Sequence, residues 1–265
     1  MLKKIFITLV FLSPCLIFCT PLIINTLSNN GILYELNTNQ GKRPKIAVAT
    51  AAIGKDYGCL VEKGIINKKA YCKKHGYDFF HATQILNNAL GFHTEKKRHP
   101  AWSKVVLTYH LLKHFGYDWV FWTDADSLIM NDEIKLEDFI EQDPSKEFLI
   151  SQVYTKNLNT GQFLIKSTQW GLQLLLDAWH SGEIQELDYP NIPGMKGFGE
   201  QVHIMKLILG SSDNLNKTNI LPERALNAQK WCYQKGDFLI HFIAVRGAKL
   251  QKDMETYYSM METDR

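Results

Sequence analysis

Residues 119–123, WVFWT, place five bulky or β-branched side chains in a row without polar alternation. A strand of that kind is buried on both faces, and a sheet of such strands needs a covering layer above and below. Similar runs recur as KIAVATAA from Lys45, YDFFHA from Tyr77, EFLIS from Glu147, GQFLIK from Gly161 and DFLIHFI from Asp237. Between them lie stretches with helical spacing: LVEKGIINKKAYCKKHG ending at Gly76, AWSKVVLTYHLLKHFG ending at Gly116, TQWGLQLLLDAWH from Thr168 and EQVHIMKLIL from Glu200. Strands alternating with helices predict an α/β fold, a mostly parallel Rossmann-like sheet with helices on both faces.

The chain has 265 residues and 45% hydrophobic content, enough for one large α/β core. Its formal charge of +3 is dispersed. The one short basic run, residues 96–98, reads as solvated surface, so nucleic acid is not expected as a partner.

After MLKK, residues 5–24 are almost wholly apolar. About 20 helical residues at about 1.5 Å each match a bilayer core of about 30 Å. Lys3 and Lys4 keep the first residues cytosolic and send the rest to the lumen. No small-residue cleavage signature follows, which favours an uncleaved anchor over a signal peptide. The expected organisation is a cytosolic tip and signal-anchor segment over 1–26, a flexible stem over 27–43 and a lumenal domain over 44–265. Cys59, Cys72 and Cys232 permit one disulfide in that compartment, and Asn216, Lys217 and Thr218 form a glycosylation sequon in a polar loop.

Directly after WVFWT come Asp124 and Asp126. Ligands gather outside the carboxyl ends of strands in open α/β sheets, so this couplet falls where chemistry sits. Two carboxylates so close repel unless a cation offsets their charge, and oxygen ligands favour a hard ion such as Mn²⁺ or Mg²⁺. One carboxylate can face the ion while the other meets a sugar or ribose hydroxyl. His241, at the end of another strand, is a candidate third ligand. Arg246 is a candidate to hold a departing diphosphate, and Lys104 a candidate phosphate contact. The plain alternatives are a solvated turn, a core histidine and a surface lysine.

The segments NKKAYCKKHGYDFF, AWSKVVLTYHLL, YDWVFWTDADSLIMN, NTGQFLIKSTQWGLQLLLDAW, GEQVHIMKLIL and FLIHFIAVRGAKL together resemble glycosyltransferase family 34, the galactosyl-, mannosyl- and xylosyltransferase group. The resemblance runs from Lys45 to Leu250 and lies in the ordered set. It implies a GT-A fold behind an N-terminal transmembrane helix, a single-pass type II Golgi membrane protein, a nucleotide-sugar donor, Mn²⁺ and retention of anomeric configuration. By the same resemblance, Asp124 and Asp126 look like the metal and nucleotide carboxylates and His241 like the third metal ligand. Lys104 and Arg246 look like cations near the donor diphosphate. Asn159 and Gly161 resemble the loop that shapes the sugar pocket, and Glu200 and Gln201 the catalytic pair beside the transferred sugar and acceptor.

UDP-galactose, GDP-mannose and UDP-xylose all fit as donors, with a glycan as acceptor. Two rival readings remain from the residues. VFWTDADSL also resembles the strand of haloacid-dehalogenase-type phosphatases, with Asp124 as nucleophile and Asp126 as acid/base. A catalytically inactive sugar-binding protein is the other.

Overall fold

The structure is a computed structural model and describes residues 26–37, 43–95, 98–153, 157–184, 187–188, 196–197 and 199–263. The strands are β1 (Ile32–Glu35), β2 (Ile46–Ala51), β3 (Asp78–Ala82), β4 (Trp119–Thr123), β5 (Ser127–Ile129), β6 (Phe148–Gln152), β7 (Leu158–Lys166), β8 (Leu187–Asp188), β9 (Lys196–Gly197), β10 (Thr218–Leu221), β11 (Ala228–Gln229) and β12 (Leu239–His241). The helices are α1 (Lys55–Leu60), α2 (Glu62–His75), α3 (Ser103–His114), α4 (Leu136–Ile140), α5 (Gln169–Ile184), α6 (Glu200–Leu209), α7 (Ser212–Lys217), α8 (Glu223–Leu226) and α9 (Gly247–Thr263).

A seven-stranded sheet runs β1-β3-β2-β4-β7-β6-β10, and a three-stranded sheet runs β11-β12-β5. The expected two-sided burial holds. Trp119 and Phe121 of β4 face Tyr71 of α2 and Phe139 of α4, whereas Val120 and Trp122 face Val105 and Val106 of α3 and Leu174 and Leu175 of α5. β2 divides likewise, with Ile46 and Val48 on one side and Ala47 and Ala49 on the other. Gly76 ends α2 in the left-handed region at φ 75°, which a residue without Cβ adopts freely.

The sheet is mixed, not mostly parallel. β3, β2 and β4 are parallel and β6 pairs parallel with β10, but β1 is antiparallel to β3, and β7 is antiparallel to both β4 and β6. A strand buried on both faces has the same apolar run whichever way it points, so the pattern does not encode direction.

Two other expectations change. Part of the expected stem forms β1, whose Ile32 is buried and whose register pairs Ile32 with Ala82, so the folded part begins before residue 44. A four-residue edge strand flanked by Asn and Gly carries too few residues to show a period. Arg98 is buried: its guanidinium lies 4.5 Å from the Trp102 ring and 3.9 Å from the Trp179 ring, and it donates to the Trp179 carbonyl at 2.9 Å. A guanidinium can stack on indoles while its edge keeps a hydrogen bond, so a positive charge there need not face water.

The sequon residue Asn216 is exposed in the last turn of α7, not in a loop. Cys59, Cys72 and Cys232 are all free thiols. Residues 5–24, read as an anchor, lie outside the described residues. Among the described residues no helix is long and apolar enough to cross a membrane.

Candidate functional site

The acidic couplet joins the two sheets. The Asp124 backbone N–H donates to the Gly161 carbonyl of β7 at 2.7 Å, while the Asp126 carbonyl accepts from Phe242, just past β12, at 2.9 Å. The turn between closes on itself: Ser127 Oγ donates to the Asp124 carbonyl at 2.7 Å and meets Thr123 Oγ1 at 3.0 Å. β12 runs antiparallel to β5 with His241 opposite Ser127, which brings the imidazole to the couplet. The histidine strand was expected in the main sheet; it lies instead in the smaller sheet.

Nε2 of His241 is 3.4 Å from Asp126 Oδ1 and 4.0 Å from Asp124 Oδ2. One ligand atom from each residue lies within 4.8 Å of the others. Adjacent ligands of a small divalent ion stand about 3 Å apart and opposite ones about 4 Å, so the two imidazole–carboxylate separations, 3.4 and 4.0 Å, fall in the range of an ion's first sphere. Nδ1 of His241 is 2.8 Å from Asn227 Oδ1. An amide oxygen only accepts, so Nδ1 donates to Asn227 and Nε2 is the nitrogen that faces the carboxylates. Two carboxylates and an imidazole form a fitting donor set for Mn²⁺ or Mg²⁺, which would take the place of any proton on Nε2.

Burial pushes Asp124 above the usual carboxylate range, with the negative charge of Asp126 adding to it and Lys104 opposing. Burial acts on Asp126 the same way, but the charge and hydrogen bond of His241 prevail and hold it below that range. The two acids thus have opposed tendencies in one turn, which a shared cation would relieve.

Lys104, on α3, is 4% exposed and its ammonium meets Glu200 Oε1 at 2.8 Å, the Thr160 carbonyl at 2.8 Å and Asp124 Oδ1 at 3.2 Å. Those three acceptors use its three N–H groups. Burial disfavours its charge, yet Asp124 and Glu200 outweigh that and raise it above the usual lysine range. Lys104 therefore clamps two carboxylates together and has no hydrogen free for a phosphate.

Glu200 opens α6, buried, and accepts from Thr160 Oγ1 at 3.0 Å. Gln201 Oε1 accepts the Thr160 N–H at 3.1 Å, and Asn159 Oδ1 accepts the Gly161 N–H at 2.8 Å. Gly161 is obligatory where it stands: a Cβ there would sit 2.4 Å from His241 Cε1 and 2.8 Å from Asn159 Oδ1. The geometry brings together Lys104, Asp124, Asp126, Asn159, Gly161, Glu200, Gln201 and His241. Arg246 is exposed at the start of α9 and joins none of these contacts.

Several residues at the site escape sequence reasoning. Fully buried Lys68 donates to the Ser127 carbonyl at 2.7 Å, and Asn67 both accepts the Ile129 N–H at 2.7 Å and donates to its carbonyl at 2.9 Å. Gly64 lets α2 approach, since a Cβ there would lie 2.2 Å from the Ala125 carbonyl oxygen. These three occupy positions i, i+3 and i+4 of α2, a small and polar stripe facing the core, which is the signal that marks them. Tyr57 of α1 also lies near; burial chiefly, then the charges of Asp126 and Asp124, raise its phenol well above the usual range. Asn227 carries no local signal.

Residues 42–143 and 139–249 match the model of the galactosyl transferase GMA12/MNN10 family. The chain is 33% identical over 125 residues to "Probable glycosyltransferase 3" of Oryza sativa subsp. indica, covering 44% of this chain and 25% of that protein. It is 23% identical over 218 residues to "Alpha-1,2-galactosyltransferase" of Schizosaccharomyces pombe, covering 67% of this chain and 54% of that protein. The chain thus spans a quarter to about half of the curated relatives it matches. A crystal structure of a glycosyltransferase involved in glycosylation of the major capsid of PBCV-1 has a TM-score of 0.61 and 16% identity, with 80% of this chain and 100% of that one covered, a likeness of fold.

Proposed function

The chain belongs to the galactosyl transferase GMA12/MNN10 family, and from that premise we propose that it is a retaining glycosyltransferase that moves a hexosyl or xylosyl unit from a nucleotide sugar to a glycan. The observation that carries the proposal is the convergence of Asp124, Asp126 and His241 within 4.8 Å at the carboxyl end of β4. A divalent ion held there, Mn²⁺ by preference, would supply charge neutralisation for a departing nucleoside diphosphate.

The chain's own residues divide the remaining work. Asn227 fixes the imidazole tautomer. Lys104 holds Asp124 and Glu200 at a set distance, so the negative charge of Glu200 stays beside the place where positive charge develops on the sugar. Glu200 is 3% exposed and its Oε1 is engaged by Lys104 and Thr160. That commitment favours an electrostatic role for Glu200, with the acceptor hydroxyl approaching the face the phosphate leaves, over attack by Glu200 as a nucleophile. Gln201, anchored through Thr160, borders the same space. The nucleotide belongs in the crevice beside β2, where neighbouring parallel strands β3 and β4 lie on opposite sides.

Family membership weighs against the phosphatase reading, as does the pairing of Asp124 Oδ1 with Trp122 Nε1 at 2.7 Å and with Lys104. The apolar residues 5–24 support, as part of the same proposal, a Golgi membrane protein with its catalytic part in the lumen.

The test incubates the purified chain and Mn²⁺ with UDP-galactose, GDP-mannose or UDP-xylose, each with and without a glycan acceptor. Nucleoside diphosphate should appear with one donor, vanish with chelator and vanish in Asp126→Ala. Release that persists with chelator would overturn the metal-dependent mechanism. Failure of all three donors would leave only a sugar-binding protein.

A further inference from the structure

A row of polar side chains crosses the seven-stranded sheet near the carboxyl ends of β2, β3 and β4. Thr50 of β2 is the register partner of His81 of β3, and Thr123 of β4 is the partner of Gln162 of β7. Thr50 and Thr123 each stand one residue past the partners Ala49 and Trp122, so the two pairs lie side by side. Side chains two apart along a strand share a face. Val48, Phe79, Phe121 and Leu164, each two residues from a member of the row, belong to one core cluster with Tyr71 of α2, so the whole row faces that helix. It is closed to solvent yet short of partners. Thr50, Thr123 and Gln162 are fully buried and His81 is buried. Among the described residues, Thr50 Oγ1, His81 Nε2 and both the nitrogen and the oxygen of the Gln162 amide have no hydrogen-bond partner. Native interiors satisfy such atoms with a held water where no side chain reaches them.

At its β7 end the row meets the support of the imidazole. Fully buried Asn227 accepts from Nδ1 of His241 through Oδ1 at 2.8 Å, and its Nδ2 is a fifth buried atom without a partner among the described residues. A Cβ on Gly161, the residue before Gln162, would lie 3.0 Å from that same Nδ1. Ser151 of β6 stands two residues past Leu149, the register partner of Leu164, and its Oγ accepts the N–H of Leu226, the residue before Asn227, at 3.2 Å. Gln162 and Asn227 are thus brought together from both sides.

The mix of atoms selects the ligand. Asn227 Nδ2 and Gln162 Nε2 only donate, Gln162 Oε1 only accepts, and a hydroxyl does either. A cation would leave the amide N–H groups unmet and an anion would leave Oε1 unmet, whereas water meets both. Opposite side chains on neighbouring strands have Cβ atoms about 5 Å apart, too far for two threonine hydroxyls to meet with ease and well spaced for a water between them. We propose that this row holds a file of internal waters and that Gln162, through one of them, orients the Asn227 amide that supports His241. That water accepts from Asn227 Nδ2 and donates to Gln162 Oε1, which keeps Oδ1 turned toward the imidazole. Gln162 is thus a positioning residue for His241, whatever sugar the chain moves.

The experiment is NMR on the full chain with labelled histidine, asparagine and glutamine side chains. In the wild type, cross-peaks from water to the side-chain NH₂ groups of Gln162 and Asn227 should appear with the sign of a water held for longer than about a nanosecond. Thr50→Val and Gln162→Met, which remove polar atoms at nearly constant volume, should each lower the oxygen-17 relaxation dispersion of the solvent, a measure of held waters. Exchange of the His241 Nδ1–H with solvent should quicken about tenfold in Gln162→Met, the scale of one lost hydrogen bond. It should keep its wild-type rate in Thr50→Val, where the change lies on the far side of β4. Absence of water cross-peaks at both NH₂ groups overturns the proposal without any variant, and so does a dispersion that neither substitution lowers. An unchanged exchange rate in Gln162→Met overturns the positioning role, as does equal quickening in both variants, the mark of a general loosening.

Discussion

Asn227 Oδ1 lies 2.8 Å from Nδ1 of His241, and this contact decides which imidazole nitrogen faces the aspartates. Asn227→Ala leaves the tautomer free and the ring unsupported. Mn²⁺ affinity by calorimetric titration should fall about 10- to 100-fold, as second-sphere losses do, with an unchanged circular dichroism spectrum.

Gly161→Ala places a methyl group 2.4 Å from His241 Cε1. The ring must move, because the other neighbour is the Asn159 side chain that accepts the Gly161 N–H. Metal-dependent turnover should drop about 100-fold, the scale set by ångström-level misplacement at a reacting centre, and Mn²⁺ titration should weaken in parallel.

Lys104→Met strands the carboxylates of Asp124 and Glu200. Removing one partner of a buried ion network destabilises by about 3–5 kcal/mol, read by urea unfolding. Adding Glu200→Gln should recover part of that loss. Strict additivity of the two changes would contradict the clamp.

Burial pushes Lys68 down to about 7 from an ordinary 10.5. Between those values the unfolded chain holds the extra proton, so stability rises with pH across that window and is lost as pH falls toward 7. Lys68→Met removes this dependence. The stability of the wild type relative to Lys68→Met should grow by about 2 kcal/mol from pH 7 to pH 9, measured by urea unfolding at each pH.

Ala244, exposed in the turn after β12, has φ 62°. A Cβ is strained in that region, so Ala244→Gly should stabilise the chain by about 0.5–1 kcal/mol, net of the extra freedom of glycine in the unfolded state. Thermal unfolding checks it.

The strands and helices that frame the site were legible because their apolar periods are strong: β4 and its acidic end, α3 with Lys104, α6 with Glu200. Asp124, Asp126 and His241 could be joined because each sits beside an apolar run that marks a strand end. Strand direction was not legible, since β7 is as apolar as its parallel neighbours would be. The role of Lys104 was not legible either; a lysine at the start of a helix looks like a surface cation until Asp124 and Glu200 are found on either side of it. Asn227 and Lys68 act through partners far away in the chain, and single-residue chemistry holds no trace of a partner.

The couplet is anchored to two sheets, one strand of which is completed only near the carboxyl terminus. A nascent polypeptide that has emerged as far as β10 already possesses both aspartates but lacks the nitrogen that faces them. On the proposed metal-dependent reading, capture of an ion would therefore come late in maturation, coupled to docking of β12 against β5. A copy clipped ahead of Leu239 would keep both carboxylates and lose the imidazole that completes the trio.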